Sequence, residues 1–250
     1  MSSIPEPPVA MPVEHRTRVI LNGSELFSLQ MTPVALDDWA VGFLQTEGVI
    51  DGLADLLDLQ IDAKAGAIEA QVLPERAAVV LEASSRYLTS GCGKGVTFSS
   101  VKDAMLLRPV THTLTVTQGQ LLAWVRRMQA ESPLYAQTGG MHAAGVIHVP
   151  TETMVVREDI GRHNAVDKAI GAALKAGWDP AQVVVLTTGR ISYEMCTKLA
   201  RYGAGVGASL TAATDQAIRL ADRVGIDLLG YVRKPDKVEL YTRGARIRPE

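Results

Sequence analysis

Residues 153–188 read TMVVREDIGRHNAVDKAIGAALKAGWDPAQVVVLTT, and the fold turns on how that stretch divides. TMVVRED begins as a short β-rich apolar run. NAVDKAIGAALKAG spaces its apolar residues helically and ends on Gly177, and VVVLTT is an unbroken apolar run of buried-strand length. Strand, helix and strand in that order make one β-α-β unit. Asn164 reads as the helix N-cap, with Asp167 three residues on in a variant of the capping box. The charged residues Arg157, Glu158, Asp159, Arg162 and His163 then fall in the loop at the first strand's C-terminal end, where ligands gather in such sheets.

The alternation continues outward. Downstream, SYEMCTKLARYG reads as a helix, VGASLT as a strand, TDQAIRLADRVG as a helix and LLGYVR as a strand; upstream lie the strand AAGVIHV and the amphipathic helix QLLAWVRRMQAE. This predicts a sheet with parallel β-α-β units and helices on its faces over residues 110–250. Residues 16–109 form a smaller, strand-rich α+β domain. There RTRVILNGSELFSLQM is a hairpin about Asn22-Gly23, and LDDWAVGFLQTEGVI is a helix with Asp37 and Asp38 in its first turn and Gly48 near its end. LQIDAKAGAIEAQVL reads as a second hairpin and RAAVVLEA as a further strand. The fold class is therefore α/β, α+β overall. Residues 1–15 are Pro-rich and lack the basic and apolar regions of a signal peptide, so they are expected to be a disordered tail.

With 250 residues, 47% hydrophobic content and a net charge of −2, the chain has enough apolar material for a sizeable core and no bulk charge for nucleic acid or anionic membranes. No segment is apolar for the length of a bilayer. Two cysteines in unlike contexts, Cys92 and Cys196, give no disulfide framework and suit a reducing cytoplasm. Anion binding, if present, then belongs to local clusters.

Three basic loops follow predicted strands: Arg157–His163, then TTGRISYE with Gly189, Arg190 and the expected N-cap Ser192, then RKPDK with Arg233, Lys234 and Lys237. Arginine beside helix N-termini suits phosphate, because exposed N–H groups and the helix dipole favour negative charge. A solvated ion-pair cluster is the competing reading for the first loop, and a satisfied structural histidine the competing reading for His163. His142 follows Gly139-Gly140, a pair that allows close backbone approach to a ligand. Cys196 lies within a helical run and reads as a buried small hydrophobe.

Cys92 sits in LTSGCGKGVTF, uncrowded among Gly91, Gly93 and Gly95 and beside the cation Lys94. Such surroundings favour a thiolate able to accept a sulfur atom as a persulfide; an incidental cysteine in a glycine-rich turn is the other reading. SGCGKGVT is no P-loop, since Gly95 stands where Ser or Thr is required. GAGVGA at 203–208 has dinucleotide spacing but runs from helix to strand, the reverse of the needed context. No Cys-x-x-Cys or clustered His/Cys set offers a metal site, and no G-x-S-x-G a nucleophile elbow.

Together ILNGSELFSLQMTPVALDDWAVGFLQTEGVI, TGGMHAAG, VVREDIGRHNAVDKAIG, TTGRISYEM and LLGYVRKPDKVELYT resemble the formate dehydrogenase accessory sulfurtransferase family, FdhD, from about Val19 to Thr242. The resemblance implies a cytidine-deaminase-like α/β domain without deaminase chemistry, in keeping with MHAA lacking the deaminase glutamate. It implies a cytoplasmic sulfurtransferase and homodimer that takes sulfur from a cysteine desulfurase as a persulfide. The sulfur passes to the molybdenum cofactor, bis(molybdopterin guanine dinucleotide), for formate dehydrogenase, with a GDP-like guanine nucleotide as a second expected ligand and no metal held directly by the protein. By position, Cys92 would be the persulfide carrier. Tyr231, Val232, Arg233, Lys234, Pro235 and Asp236 would contact the cofactor, and Gly139, Gly140, His142, Asp159, Arg162, His163, Asn164, Gly189, Arg190 and Ser192 would complete a nucleotide phosphate site.

The chain departs from the family in one respect that bears on mechanism. Many members carry C-G-x-C-G-K, whereas here Thr89 or Gly95 stands in place of one cysteine, depending on how Cys92 is aligned. RKPDK also has one residue more than common family forms. Two functions remain from the sequence: a sulfurtransferase acting through Cys92, and a non-catalytic cofactor chaperone acting through the basic loops.

Overall fold

The computed structural model describes residues 11–77, 107–111 and 113–248. A hairpin of β1 (His15–Leu21) and β2 (Ser24–Met31) opens the chain. Its turn residues Asn22 and Gly23 have φ of 47° and 78°, the left-handed pair that a two-residue hairpin needs. The second hairpin, β3 (Leu56–Asp62) and β4 (Ala67–Val72), joins it by parallel pairing of β1 with β4, giving the order β2-β1-β4-β3. Asn22 locks the two hairpins: its amide donates to the Val72 carbonyl at 3.0 Å and its oxygen accepts from the Val72 N–H at 2.9 Å.

The inner face of this sheet covers α1 (Leu36–Thr46) through Val19, Met31, Trp39, Phe43 and Ile68. Residues 74–77 correct the strand expected at RAAVVLEA where it begins. They form a helical turn led by Pro74, which suits the first turn of a helix, and Arg76 is held in it by ion pairs to Asp51 and Asp55. The rest of that expected strand lies outside the described residues.

The second sheet has six strands in the order β11-β10-β9-β8-β6-β7. β6 (His142–His148) and β7 (Thr153–Asp159) form a hairpin, and β6 also runs antiparallel to β8 (Val183–Thr187). β8, β9 (Val206–Ser209) and β10 (Asp227–Gly230) are parallel, and the short β11 (Glu239–Leu240) closes the far edge. Two further short strands, β5 (Val116–Thr117) and β12 (Ile247–Arg248), pair beside it.

One face is covered by α2 (Gln118–Ala130), whose Leu121, Val125 and Met128 meet Ile147, Val184 and Leu186. The opposite face is covered by α4 (Arg162–Lys175), α5 (Tyr193–Tyr202) and α6 (Asp215–Val224), through residues such as Ile170, Leu199 and Leu220. The short α3 (Pro133–Thr138) leads into β6. The mixed α/β class read from the sequence is thus the observed one, with its parallel core confined to β8, β9 and β10. Among the described residues no helix is long and apolar enough to cross a membrane.

The two sheets are joined where α1 crosses α4. A Cβ on Gly42 would lie 1.8 Å from the Asp167 carbonyl oxygen, and one on Gly171 would lie 1.8 Å from that of Asp38. The helices therefore touch backbone to backbone. Both sites exclude any side chain, and neither backbone can yield without moving a whole helix. Gly171→Ala is expected to cost about 2 kcal/mol or more in denaturant unfolding, whereas Gly52→Ala, whose Cβ would meet nothing within 4 Å, should stay within about 0.5 kcal/mol of the parent.

Candidate functional site

Because β7, β8, β9 and β10 point the same way, the loops after them open on one edge, together with the turn before β6. This brings the three basic loops to a common side, and hydrogen bonds and close packing link them in sequence. His142 Nδ1 lies 3.2 Å from Thr188 Oγ1, which also accepts from the Ala143 N–H. Gly189 lies under Arg162: a Cβ there would come within 2.7 Å of the arginine's Cβ, so the missing side chain is what lets Arg162 cross the loop. Ser209 Oγ donates to the Gly189 carbonyl at 2.7 Å, and the N–H groups of Tyr231 and Val232 donate to the carbonyls of Thr211 and Ser209. Gly139 and Gly140 stand at the entrance to β6, where Pro12 covers Gly140.

Several expected ligand-binding residues are occupied within the protein. Asp159 is fully buried and accepts four hydrogen bonds, from Thr32 N–H, Lys168 Nζ, Gly161 N–H and Asn164 Nδ2. No acceptor position is left for a ligand. Asn164 also accepts from Trp39 Nε1 and donates to the Gln30 carbonyl, so both it and Asp159 fasten the loop to the first sheet and α1.

Asn164 is not the N-cap. That position belongs to Gly161, because the Asp159 bond to the Gly161 N–H starts the helix earlier. Asp167, expected in the capping pattern, is buried and bonds to Thr46 and Lys198 instead. Val232 is also fully buried, as part of the core beneath α2. Arg157 and Glu158 belong to β7 rather than a loop; Arg157 pairs with Asp38 at 2.7 Å, and the Glu158 carboxylate receives the Leu134 and Tyr135 N–H groups that begin α3. The solvated ion-pair cluster weighed for this stretch does not form: Arg157 and Asp159 pair with Asp38 and the buried Lys168, and Glu158 accepts backbone N–H groups instead.

The remaining groups face the edge. Arg162 has its Nε buried without a hydrogen-bond partner among the described residues. Arg190, Arg233, Lys234, Pro235 and Asp236 are exposed, as is Tyr231, which takes a left-handed φ of 52° to turn the chain out of β10. Ser192 caps α5 as expected, accepting from the Met195 N–H. Its hydroxyl donates to Glu194 Oε2 at 2.8 Å, and that oxygen lies 4.0 Å from His163 Nε2.

His163 Nε2 is itself buried without a hydrogen-bond partner among the described residues. Burial, then the charges of Lys198 and Arg162, push its pKa down to about 3, and burial with Arg162 also lowers that of His142. Both imidazoles are therefore neutral at physiological pH. Glu194 and Thr188 were missed in the sequence reading, although Glu194 two residues after an N-cap serine is a visible helix-start signal. Cys92, Thr89 and Gly95 lie outside the described residues. Cys196 is fully buried, and burial raises its pKa to about 12, so it is the inert small hydrophobe its sequence context suggested.

The FdhD/NarQ family model matches residues 12–248. The chain belongs to the FdhD/NarQ family. It is 35% identical over 232 residues to a sulfur carrier protein FdhD of Xanthomonas oryzae pv. oryzae, covering 91% of this chain and 82% of the relative. It is 32% identical to the sulfur carrier protein FdhD of Bacillus subtilis, covering 95% and 90% of the two chains. A crystal structure of a formate dehydrogenase accessory protein from Desulfotalea psychrophila has the same fold, with a TM-score of 0.76, 24% identity and coverage of 95% and 90%. The FdhD/NarQ resemblance carried by REDIGRHNAVDK and GRISYEM is thus a family membership, and those motifs form the loop, helix starts and helix crossing just described.

The depressed His163 pKa has a measurable consequence. Its imidazole resonances should remain unshifted from pH 8 to pH 5, whereas an ordinary histidine titrates near 6.5. The unfolded chain gains a proton there that the folded one refuses, so this group makes folding less favourable as pH falls from about 6.5 towards 3.

Proposed function

We propose that this chain is a sulfur carrier in formate dehydrogenase maturation. Cys92 receives sulfur from a cysteine desulfurase as a persulfide, and the sulfur is passed to the molybdenum cofactor, bis(molybdopterin guanine dinucleotide), held as substrate at the sheet edge. The protein acts as a sulfurtransferase, in the cytoplasm, as a homodimer. The observation carrying the reading is the convergence of Arg162, Arg190 and the Arg233–Lys234 turn at one edge, in a chain whose relatives are named sulfur carriers.

Pyrophosphate needs multiple donors in a fixed arrangement. Arg162 Nε is buried there without a partner among the described residues, and the first turn of α4 carries no acidic residue, the Asp159 carboxylate at its start being paired with Lys168. Arg190, Arg233 and Lys234 add exposed cations, while Tyr231, Pro235 and Asp236 shape the outer turn. Asp159, Asn164 and Val232 act by fixing the loops. A GDP-like nucleotide would use the same donors.

A lone carrier cysteine is chemically sufficient. An electron pair of the acceptor forms the new bond to the persulfide's outer sulfur while the S–S bond breaks and the Cys92 thiolate leaves, so the acceptor supplies the two electrons and no second cysteine is consumed. Cys196 has no part in this.

Formate dehydrogenase activation separates carrier from chaperone. In cells lacking their own carrier, Cys92→Ala is expected to abolish dehydrogenase activity while the purified variant still binds GDP. Arg190→Ala and Arg233→Ala should weaken GDP binding about tenfold or more each, as loss of a charged hydrogen bond does. Normal activation by Cys92→Ala would instead make the basic loops the whole function.

A further inference from the structure

Thr188 is the first residue past β8, and it stands opposite Ala143 where the pairing of β6 with β8 runs out. Its N–H donates to the Ala143 carbonyl at 2.9 Å, and its Oγ1 accepts the Ala143 N–H at 3.0 Å. One backbone unit of β6 thereby fixes both the place of Thr188 and the direction of its side chain. The same Oγ1 lies 3.2 Å from His142 Nδ1. With one lone pair given to Ala143, the hydroxyl still has a proton to place, and His142 Nδ1 is its only other hydrogen-bond partner among the described residues.

We infer that Thr188 is a positioning residue: its hydroxyl donates to His142 Nδ1, so that His142 carries its own proton on Nε2 and presents that N–H to the edge. The inference rests on the reading, proposed above, that the cofactor is held at this edge. A neutral imidazole has one donor nitrogen and one acceptor, so the bond made at the first nitrogen decides the second. His142 Nε2 has no partner among the described residues, and unlike His163 Nε2 it is not a sealed atom. A ligand can therefore reach it.

The choice of tautomer has a chemical consequence. Burial and the nearby charge of Arg162 lower the His142 pKa, so the ring is neutral and the cation at this point of the edge is the arginine. An Nε2–H beside that cation adds direction without a second charge: it holds an acceptor atom of the cargo, and no imidazolium has to be neutralised when the cargo leaves. The other tautomer would turn a lone pair to the same place and repel the same acceptor. Because Ala143 orders Thr188, and Thr188 orders the ring, the donor is in place before the ligand arrives.

The test is nitrogen-15 NMR of the histidine rings in the full-length protein at neutral pH, with His142 assigned from the His142→Gln spectrum and binding of inorganic pyrophosphate measured alongside. The parent should show His142 with Nδ1 bare and Nε2 protonated. Thr188→Val keeps the shape but cannot donate, so the Nδ1–H form should appear; Thr188→Ser should restore the single form. Pyrophosphate should bind Thr188→Val about threefold to tenfold more weakly than the parent, as loss of one neutral hydrogen bond predicts, and Thr188→Ser within about twofold of it. Thr188→Val also unpairs the Ala143 N–H, but a merely structural role would lower stability and leave the tautomer unmoved. Unshifted resonances of His148, at the other end of β6, report that the variant is folded. An Nδ1–H ring in the parent, an unchanged tautomer in Thr188→Val, or a pyrophosphate affinity indifferent to the substitution would overturn the inference. A parent that binds no pyrophosphate would overturn the reading of the edge, while the spectra alone decide whether Thr188 sets the ring.

Discussion

The contact between Gly42 and Gly171 sets how the rest of the molecule is built. With no Cβ on either residue, α1 and α4 cross at backbone distance, and α1 is enclosed between the first sheet and the helices of the second. At that separation the polar side chains flanking the crossing are buried together and must satisfy one another. Near the start of α4, Lys168 donates to Asp159, the Thr32 carbonyl and the Glu158 carbonyl. Further along, Lys198 reaches Thr46, Glu47 and Asp167. Burial alone would discharge Lys198, but Asp167 and Glu47 outweigh it and raise its pKa.

These buried clusters are how the first sheet takes part in the site without lining it. The end of β7 and the first turn of α4, which carries Arg162 and His163, are held from below by Thr32, Trp39 and Gln30, all from the amino-terminal region. Asp159 and Asn164 spend their hydrogen bonds on that attachment, leaving Arg162, His163 and Glu194 to face the edge. Lys198, under the site, also contributes to keeping His163 neutral. Rigid support from packed elements is what a site needs if charged donors are to be presented in one arrangement.

Much of the fold was legible because its elements have the right periods and ends. The Asn22-Gly23 turn, the buried run of β8 and the Ser192 cap each have a local physical cause, and each stands where the sequence placed it. The convergence of the basic loops followed from strand direction once the pairing order was known. What was not legible depends on contacts across more than a hundred residues. Asp159 looks like a loop anion until Thr32 is found against it, and Asn164 looks like a cap until Trp39 is found on its oxygen. Gly42 and Gly171 are unremarked helix glycines in the sequence, because only the crossing makes them obligatory. Glu194 was passed over for a similar reason, since its proximity to His163 is tertiary.

The cysteines complete the picture from opposite sides. Cys196 is sealed in the core with its thiol protonated, so the proposed sulfur transfer rests on Cys92. The most direct measurement is the intact mass of the full chain after incubation with a cysteine desulfurase and cysteine. The predicted result is a gain of one sulfur atom that a thiol reductant removes, present in Cys196→Ala and absent in Cys92→Ala. No gain with an active desulfurase, or a gain that persists without Cys92, would contradict a persulfide carried on that residue.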